Sequence, residues 1–591
     1  MLRSALILAA FAAVLLVVQP AQAAQDVRLR LLPGVTYTRE TRVIDGRTTV
    51  FHVVTTPRPG GLYELRPVLS NDQVQGRETV SDMQRRWSPL ATAVGVNGDL
   101  FNWETGHPSG ILFRDGVLVS RPIGGRSSLG IGLDGLLRIA RIDFFGTWQA
   151  QGFPREPLHQ FNRPFDAKQV GVALFAPTWG AATPQVADAV DVVLASLPPA
   201  APNTDLVATV VDVRPGGGTP IPPDGAVLQA TGFWGNKLIE KASPGSTMTL
   251  RLILRPWWED VASAIGGGPI IVRDGKVVAS AGEDFTASQL NPRHPRTAVG
   301  QLADGRVLLV AVDGRDDESA GITLPALGAE LVRRGVVAGM ALDAGGSTTL
   351  AFDGRVLNEP SDGAERPVSD ALMLLYYGAF VPEPTASVYS PNGDGFGDAQ
   401  QVAYKVVRPS TVSARLIAPD GSVFWQEEGP RDPGTVVVPV VPPEGGPALL
   451  EGRWRWVVRA TDANGNVSGG ERRFTVNTTI GHLRLSRRTL QVRAAVGPTT
   501  RASFRVARRA GVRVQVEAPG GGVVRRLLLR RLEPGTTRIA WNGRDARGRP
   551  VAQGRYRIRV IATNAVGKAE LFGDVIVRRP KEKTFTVVSR S

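Results

Sequence analysis

The sequence predicts an α+β domain followed by two all-β sandwiches. Residues 25–380 mix short apolar, strand-like runs with two helical patterns. The composition then shifts to Pro-rich turns at residues 381–386, and from residue 387 onward apolar and polar residues alternate with almost no helical pattern. The chain has 591 residues, about four times a typical ~150-residue domain, so several domains are expected.

The elements of the first domain follow from its periodicity. Runs such as residues 270–272 and 307–312 are typical of strands, and Asp-Gly turns lie beside them. One helix is expected to begin near Thr79, with Met83 and Trp87 on one face. A second should be capped by Thr323, with Pro325 in its first turn, a stripe of leucines at positions 324, 327 and 331, and Gly335 as its stop.

The C-terminal part reads as two similar β units of about 90 to 100 residues. In each, a strand of alternating apolar and arginine residues runs into an Asn-containing turn, at residues 454–466 and again at residues 556–567. This repetition indicates an internal duplication. The predicted boundaries are 1–24 for a leader, 25–380 for the α+β domain, 381–386 for a linker, 387–478 and 479–580 for the two β units, and 581–591 for a tail.

The N-terminus has the pattern of a secretory signal peptide. Arg3 precedes an apolar run at residues 5–18, and Ala-Gln-Ala at residues 21–23 is a small-residue cleavage site. The alternative, a membrane anchor, needs about 20 apolar residues, and this run is shorter. No later segment is long and apolar enough to span a bilayer. The mature chain is therefore expected to be secreted or cell-wall associated, without a transmembrane segment.

Composition excludes several kinds of chemistry. With no cysteine, the chain has no disulfides, thiol nucleophiles or iron–sulfur clusters. Its five histidines are scattered, and the P-loop, His-Glu-x-x-His and Gly-x-Ser-x-Gly motifs are absent. Carboxylates, arginines and Gly-rich turns remain as candidates, and neither a metal nor a cofactor is expected.

The net charge of +15 is concentrated at one end of the chain. Residues 480–591 hold 26 Lys and Arg against 6 Asp and Glu, a net of +20, so the residues before them carry −5. The chain lacks the patterns of an RRM, KH or helix-turn-helix module, so a nucleic-acid partner is not expected. An anionic envelope polymer is the expected partner of the basic segment, with a solvated arginine face as the alternative.

A loop at the start of the first β unit has two readings. Residues 392–398 place oxygen-bearing side chains at alternate positions, as a calcium loop does. The twelfth position of that loop is Ala403, where an EF-hand has a bidentate glutamate. The segment is therefore either a plain Asx-turn, the favoured reading, or a calcium site.

Four polar, Gly-rich clusters each follow or flank a strand-like run, where a scaffold would present side chains to a ligand. Any one of them, alone, could also be an ordinary turn or a capping carboxylate. The clusters are residues 97–102, residues 265–269, residues 293–300 with 312–315, and residues 342–348 with 365–370.

Taken together, the clusters resemble the motifs of the phosphodiester glycosidases, the family of the enzyme that removes N-acetylglucosamine from a sugar–phosphate diester. The resemblance covers roughly residues 75–378. Its departures from the family are Asp99, Leu100 and Ala344. The matching segments are Asn-Gly-Asp-Leu-Phe at 97–101, Arg-Thr-Ala-Val-Gly at 296–300, Asp-Gly at 313–314, Leu-Asp-Ala-Gly-Gly-Ser at 342–347 and Arg-Pro-Val-Ser at 366–369.

A second resemblance concerns the last β unit. Residues 541–556 resemble the closing hairpin of the immunoglobulin-like domain of flagellar hook-capping proteins, a module that many secreted bacterial enzymes also carry. Both β units are therefore expected to be immunoglobulin-like sandwiches. Such modules are widely reused, so this resemblance implies a fold and no activity.

The first resemblance implies an exported hydrolase that cleaves a sugar-1-phosphodiester, in an envelope or extracellular polysaccharide. Phosphate is a good leaving group, so the site needs a carboxylate at the oxocarbenium-like centre and cations for the phosphate. Attack at carbon or at phosphorus and the anomeric outcome stay open. The alternative is a non-catalytic protein that binds the cell wall or a polysaccharide.

Each candidate residue has an expected role. Asp343 and Glu365 are the expected catalytic carboxylates, and Asp313 either reacts or orients an arginine. The expected substrate-binding residues are Arg296 and Arg366 for the phosphate, Asn97, Thr297 and Ser347 as hydrogen-bonding partners, and Gly345 and Gly346 for close backbone approach.

Overall fold

Strands dominate the protein, and the predicted α+β class of the first domain is wrong. In this computed structural model 51% of residues lie in strands and 7% in helices. The predicted helices do form, but they are short. Most connections between strands are turns or loops, so the domain has too little helix for the α+β class. The structure describes residues 26–166, 168–256, 258–278, 282–442, 444, 448–491 and 498–578.

The described residues divide into two compact units. The first comprises the chain up to Ser88 together with Thr92–Tyr376, and the second comprises Pro89–Ala91 and the chain from Tyr377 onward. The predicted signal peptide at residues 1–24 and the tail at residues 581–591 lie outside the described residues. The predicted domain boundaries stay predictions.

Four α-helices occur in the described residues: α1 (Val80–Trp87), α2 (Phe233–Lys241), α3 (Ala287–Leu290) and α4 (Leu324–Arg333). The two predicted helices are confirmed as α1 and α4. The hydroxyl of Thr79 accepts a hydrogen bond from the backbone N–H of Asp82, and Thr323 caps α4 in the same way. None of these helices is long and apolar enough to cross a membrane.

The first unit contains strands β1 to β26. In chain order these are Val27–Leu32, Val35–Ile44, Arg47–Thr56, Tyr63–Leu69, Thr92–Asn97, Leu112–Arg114, Val117–Ser120, Ser127–Gly132, Leu137–Arg141, Asp143–Ala150, Glu156–Leu158, Gln160–Phe161, Val172–Phe175, Val190–Ala195, Asp205–Pro215, Ala226–Ala230, Thr247–Arg255, Val261–Gly266, Ile270–Arg273, Lys276–Val277, Arg296–Leu302, Val307–Val312, Val336–Ala341, Leu350–Phe352, Arg355–Val356 and Asp370–Tyr376.

These strands form four sheets in which neighbours are mostly antiparallel. Sheet I has the order β1-β2-β3-β22-β21-β23-β19-β20, and sheet II has the order β11-β10-β17-β15-β14-β16-β13-β12. Sheet III is β7-β6-β18-β8-β9, and sheet IV is β25-β24-β5-β26-β4. Strands distant in sequence are thus neighbours, for example β3 beside β22 and β5 beside β26.

Helix α4 covers one face of sheet I. Its leucine stripe, Leu324, Leu327 and Leu331, is buried in one apolar cluster with Ile271 and Val310 of the sheet. This contact is the reason for the leucine spacing in the sequence, because residues three and four apart share one helix face.

The second unit contains β27 to β41 and repeats one plan twice. The strands are Val388–Tyr389, Gln401–Val406, Ser410–Ile417, Val423–Arg431, Gly434–Pro439, Gly452–Asp462, Val467–Val476, Ile480–Leu485, Thr489–Gln491, Thr500–Val506, Ala510–Glu517, Val523–Leu532, Gly535–Trp541, Gly554–Asn564 and Gly567–Arg578.

The topology of this unit supports the predicted duplication. Sheet V (β27-β33-β32-β29-β30) and sheet VI (β28-β31) form the first half, and sheet VII (β34-β36-β39) and sheet VIII (β35-β41-β40-β37-β38) form the second. In both halves a short strand near the start pairs in parallel with the last strand. These pairs are β27 with β33 and β35 with β41. Sheets V and VIII therefore have the same connection order.

Buried tryptophans fill the two sandwich cores. Trp454 and Trp456 are almost fully buried in the first core, and Trp541 in the second. The segment predicted as a hairpin, residues 541–556, instead connects β39 of sheet VII with β40 of sheet VIII, and an antiparallel bridge within it joins Arg544 and Pro550. Trp541 Nε1 donates to the carbonyl of Arg544 at 3.0 Å, and Tyr556 Oη donates to that of Ala552 at 2.9 Å.

Leu327→Ala should destabilise the protein by about 2 to 5 kcal/mol, because it leaves a cavity between α4 and sheet I. The matched control is Ala329→Ser on the exposed face of the same helix, which should change stability by less than about 0.5 kcal/mol. Chemical denaturation of the full chain measures both. Equal effects would contradict the packing described for α4.

Candidate active site

Sheets I and IV meet at the side chain of Asn97, the last residue of β5. Its Oδ1 accepts hydrogen bonds from Thr297 Oγ1 at 2.6 Å and from the backbone N–H of Thr349 at 3.1 Å. Its Nδ2 donates to the carbonyl of Asp343 at 2.9 Å. Asn97 and Thr297, both predicted as binding residues, are fully buried. They support the site by joining the strand ends that carry it.

The strand ends around Asn97 border a cavity of about 180 Å³. Polar residues on its wall include Asp343, Arg296, Arg315 and His294, and Phe285 and Leu324 are among its apolar lining residues. A cavity with few polar groups among apolar neighbours is the usual form of a small-ligand site.

Asp343 is the carboxylate on the wall of this cavity. It follows β23, and its backbone N–H donates to the carbonyl of Gly98 at 2.9 Å. The carboxylate accepts a hydrogen bond from the backbone N–H of Ala344 at 2.8 Å, and the neighbouring Ser347 hydroxyl acts to lower its pKa. Burial nevertheless raises the pKa of Asp343. The site therefore holds a poorly solvated carboxylate in a fixed orientation.

Two further carboxyl groups, those of Asp99 and Asp370, lie close to Asp343. The backbone N–H of Asp99 donates to Asp370 Oδ1 at 2.7 Å, and Asp370 Oδ2 is buried without a hydrogen-bond partner. Burial raises the pKa of Asp99 to about 7, and burial together with Asp99 raises that of Asp370 well above its ordinary range. The two groups therefore keep at least one proton near neutral pH.

Glycines make room for these carboxyl groups. A Cβ on Gly98 would lie 2.2 Å from Asp370 Oδ1, and one on Gly266 would lie 2.3 Å from Asp99 Oδ2. Both distances are far inside contact distance, so no larger residue fits while the carboxyl groups keep their positions. Gly98 and Gly266 thus leave the space that the carboxyl groups of Asp370 and Asp99 occupy.

The two cavity-lining arginines differ in how they are bonded. Arg296, predicted to bind phosphate, is buried, and its guanidinium donates to main-chain carbonyls that include Gln289 at 2.8 Å and Pro292 at 3.0 Å. Arg315 is exposed and donates to His294 Nδ1 at 3.2 Å. Among the described residues it forms no ion pair, so its charge is available to an anion in the cavity.

Gly345 and Gly346 lie in the 3₁₀ turn Gly345–Ser347 beside Asp343. Gly345 has a φ of +68°, and a Cβ there would lie 3.1 Å from Arg315 Nη2. A Cβ on Gly346 would lie 1.9 Å from Arg366 Nη2. The turn therefore lets both guanidinium groups lie against the backbone. The predicted close approach of this backbone to a ligand stays a prediction.

Arg366 stands next to the turn and supports it. Its Nη1 donates to Ser347 Oγ at 3.2 Å, its Nε donates to Asp362 at 2.9 Å, and its guanidinium lies 5.0 Å from the ring centroid of Trp103. Arg366 thus holds the hydroxyl of Ser347, which lies beside the carboxylate of Asp343.

Glu365, predicted as a catalytic carboxylate, lies at the N-terminus of α1. Its Oε1 accepts from the backbone N–H of Ser81 at 2.9 Å, and its Oε2 accepts from the Ser81 hydroxyl at 2.5 Å. An acid at this position stabilises the first turn of a helix. Glu365 is not among the described residues that line the cavity.

Asp313 lies in a buried hydrogen-bonded network away from the cavity wall. Its Oδ2 is 2.6 Å from His52 Nε2, and its Oδ1 accepts from the backbone N–H of Glu359 at 3.0 Å. His52 Nδ1 is 2.9 Å from Tyr37 Oη. The network joins β2, β3 and the end of β22, and it involves neither Arg296 nor Arg315.

Sequence reasoning passed over Asp99, Asp370 and Arg315 as functional residues. Asp99 was visible only as a departure from a family glycine, and Asp370 only as the end of the cluster at 365–370. The usable signal was register: β5 and β26 are antiparallel with Asn97 opposite Ala371, which places Asp370 beside Gly98. The sequence itself does not show that pairing.

No group of three or more His, Asp or Glu side chains in the described part of the chain is arranged to hold a metal ion. In the loop at 392–398, Asp398 accepts hydrogen bonds from the backbone N–H groups of Asn392, Gly393 and Gly395. The side chains of Asn392 and Asp394 accept from backbone N–H groups in the same way. These are the bonds of a loop of Asx-turns.

Comparison with known proteins confirms both resemblances. Residues 200–375 match the phosphodiester glycosidase family, and residues 491–565 match the FlgD immunoglobulin-like domain. The first match includes three of the four strand-end clusters and leaves out the one at 97–102. The chain thus contains a phosphodiester glycosidase-type domain and a FlgD-type immunoglobulin-like domain.

Individual relatives match over limited stretches. The SPbeta prophage-derived uncharacterized protein YomE of Bacillus subtilis (strain 168) is 41% identical over 91 residues, which are 15% of this chain and 14% of YomE. The crystal structure of a hypothetical protein from Synechocystis shares the fold at a TM-score of 0.52 and 23% identity, over 60% of this chain and 64% of that one.

A third relative is the zebrafish N-acetylglucosamine-1-phosphodiester alpha-N-acetylglucosaminidase, in a structure of its catalytic domain auto-inhibited by the pro-peptide. It has 14% identity and a TM-score of 0.31, over 60% of this chain and 86% of that one. The present chain thus spans about a seventh of the curated relative YomE and less than two-thirds of the Synechocystis chain.

Asp99→Asn should change the pH dependence of stability. Native Asp99 keeps its proton up to about pH 7, whereas the unfolded chain releases it near the ordinary value of 3.8. The native state therefore binds more protons between these values, and stability falls as pH rises from about 4 to about 7. The variant lacks this contribution, so its melting temperature should decline less over the same window.

Thermal unfolding of the full chain at pH values from 4.5 to 7.5 measures this difference. The matched control is Asp317→Asn at an exposed site, whose curve should run parallel to the wild type. Parallel curves for Asp99→Asn and wild type would show that Asp99 does not hold a proton in the native state.

Proposed function

We propose that the chain is an exported hydrolase that cleaves the glycosyl–oxygen bond of a sugar-1-phosphodiester. The observation that carries the proposal is the cavity that combines the carboxylate of Asp343 with the unpaired guanidinium of Arg315. The match to the phosphodiester glycosidase family supports the same reaction class.

In this proposal Asp343 acts at the anomeric carbon. Loss of the phosphate leaves an oxocarbenium-like centre, and a poorly solvated carboxylate stabilises that positive charge strongly. The N–H of Ala344 and the hydroxyl of Ser347 orient the carboxylate, while Asn97 fixes the backbone that carries it. Asp343 serves either as the nucleophile or as the base for water.

Arg315 is the proposed phosphate-binding group. Its exposed guanidinium lies against the Gly345 turn, on the same cavity as Asp343, and arginine pairs well with phosphate oxygens. Arg296 holds the 289–292 segment of the cavity wall through its carbonyl contacts. We assign Arg366 to orienting Ser347.

The proton held by Asp99 and Asp370 reduces the negative charge close to the substrate. Three ionised carboxylates would repel a phosphodiester, whereas a protonated pair leaves Asp343 as the main anionic group of the site. The proposed mechanism gives no role to Glu365 or Asp313. The carboxylate of Glu365 accepts hydrogen bonds from Ser81, and that of Asp313 is hydrogen-bonded with His52.

Export and an envelope substrate are parts of the same proposal. The signal-peptide pattern at residues 1–24 supports export. A sugar-1-phosphodiester outside the cell is most abundant in polysaccharides, so the proposed substrate is a phosphodiester-linked glycan. The other candidate, a non-catalytic polysaccharide-binding protein, would bind such a glycan without turnover.

Asp343→Asn should lower kcat at least about a hundredfold, because the neutral amide cannot stabilise the cationic centre. The assay measures reducing sugar released from a panel of glycosyl-1-phosphate p-nitrophenyl diesters by the full chain. The matched control is Glu365→Gln, which should keep kcat within a few fold. Full activity in a folded Asp343→Asn variant would remove Asp343 from the mechanism.

Hydrolysis in ¹⁸O-labelled water should leave the released phosphate monoester unlabelled. Attack at the anomeric carbon breaks the sugar–oxygen bond, so the bridging oxygen departs with the phosphate and the label enters the sugar. Mass spectrometry of the phosphate product measures the outcome. Label in the phosphate would mean attack at phosphorus and would refute the glycosidase route.

A further inference from the structure

The positive charge of the last sandwich is distributed unequally between its two sheets. All five acidic residues in its described part form ion pairs with basic neighbours, and none of them lies on sheet VII. These acids are Glu517 with Arg559, Glu533 with Arg509, Asp545 with Arg549, Glu570 with Arg559 and Lys568, and Asp574 with Arg557 and Arg555.

Sheet VII holds no acidic residue and presents four arginines outward that form no ion pair among the described residues. Arg484 on β34, Arg501 and Arg505 on β36, and Arg538 on β39 are all exposed. They alternate with buried residues such as Ala502 and Phe504 of the core, so all four point away from the core. Sheet VIII carries acid-paired arginines and, on β38, four that form no ion pair in the described part of the chain, Arg525, Arg526, Arg530 and Arg531.

The strand register fixes how these arginines are spaced. Arg484 and Arg538 pair with Ser503 from either side, so they lie on one row across the three strands. Strands lie about 4.8 Å apart, which separates the two by about 10 Å. Arg501 and Arg505 each lie two residues from Ser503 along β36, about 6.6 Å away. The four cations thus surround Ser503 in a diamond.

We propose that this face of sheet VII, the arginine diamond, binds a polyanion whose charges are phosphodiesters, namely a polyol- or sugar-phosphate polymer of the teichoic-acid type. The choice of phosphodiester rests on the proposed function of the first unit. Guanidinium groups match phosphate oxygens in geometry and charge. Successive phosphates of a glycerol phosphate chain are six bonds apart, a length comparable with the two-residue spacing along β36.

The side chains between the arginines favour this polymer over single-stranded nucleic acid. The outward positions of β36 and β39 other than the arginines are Ser503, Thr536 and Ala540. Proteins that bind single strands stack the bases on aromatic side chains, and these positions supply none. Small polar residues leave the guanidinium groups free for charge contacts along a flexible polymer backbone.

Attachment of the polymer to this face would raise the local concentration of its phosphodiester linkages. A polymer bound to one part of a chain raises the local concentration of its linkages for every other part of the same chain. Turnover of a small diester needs no such attachment, so the arginine diamond should matter for polymers and not for small substrates.

The test measures binding of the full-length Asp343→Asn protein to purified poly(glycerol phosphate), so that turnover cannot degrade the probe. Four phosphate contacts predict a slope of about −3 in log K against log salt, or roughly a fifty-fold loss of affinity between 50 and 200 mM salt. Replacing the four arginines should weaken binding at least about tenfold at 50 mM salt and flatten that slope. The variant is Arg484→Ser, Arg501→Ser, Arg505→Ser and Arg538→Ser together.

The matched control removes the same number of charges elsewhere on the same sandwich and should keep most of the affinity. Equal weakening by both variants would show that only net charge matters and would overturn the proposal. The four control substitutions, all at exposed positions, are Arg526→Ser, Arg530→Ser, Arg531→Ser and Arg547→Ser.

Other probes separate the remaining outcomes. Neutral dextran should not bind, and a dT30 oligonucleotide should bind more weakly than poly(glycerol phosphate); tighter binding of the oligonucleotide would overturn the choice of polymer. In the wild-type background the arginine variant should cleave a small diester at the normal rate. A wild-type protein that cleaves the small diester, together with an Asp343→Asn protein that fails to bind poly(glycerol phosphate), refutes only the arginine diamond. Polymer binding by the Asp343→Asn protein, together with a wild-type protein that cleaves no diester, refutes only the proposed hydrolase.

Discussion

The side chain of Asn97 is the contact on which the candidate site depends. One amide group joins Thr297 of sheet I, the backbone at Thr349, and the carbonyl of Asp343. An amide offers both an acceptor for two donors and a donor for the carbonyl at this point. Because the group is fully buried, each lost bond would leave a polar atom without water. The position of the Asp343 carboxylate is thus set by the meeting of two sheets.

The electrostatics of the site follow from that burial. Gly98 and Gly266 allow Asp370 and Asp99 to enter a space without water, and desolvation then keeps protons on them. Asp343 differs because it borders the cavity and is hydrogen-bonded by Ala344. Burial thus raises the pKa of all three aspartates, and Asp343 is the one of them that lines the cavity.

Local chemistry was readable from the sequence, and long-range pairing was not. Caps at Thr79 and Thr323 predicted α1 and α4, and alternating strand patterns predicted the duplicated β units. The α+β prediction was wrong because two helices with clear caps and periodicity are easier to recognise in a sequence than many short strands. Asp343 reaches the cavity wall, while Glu365 caps a helix, since only the pairing of strands far apart in sequence decides which strand ends converge. The same limit hid Asp370 and Arg315.

Buried and exposed charges in this protein respond differently to the salt concentration of the surroundings. Charges sealed among apolar groups are hardly screened by salt, whereas the arginines of sheet VII lie in water and are screened within about a Debye length. If the proposed binding and hydrolysis both hold, ionic strength changes whether the protein is on a polymer or free in solution, without changing the chemistry at Asp343. In dilute surroundings the protein then stays on one strand between cleavage events, and in saline surroundings it samples many strands.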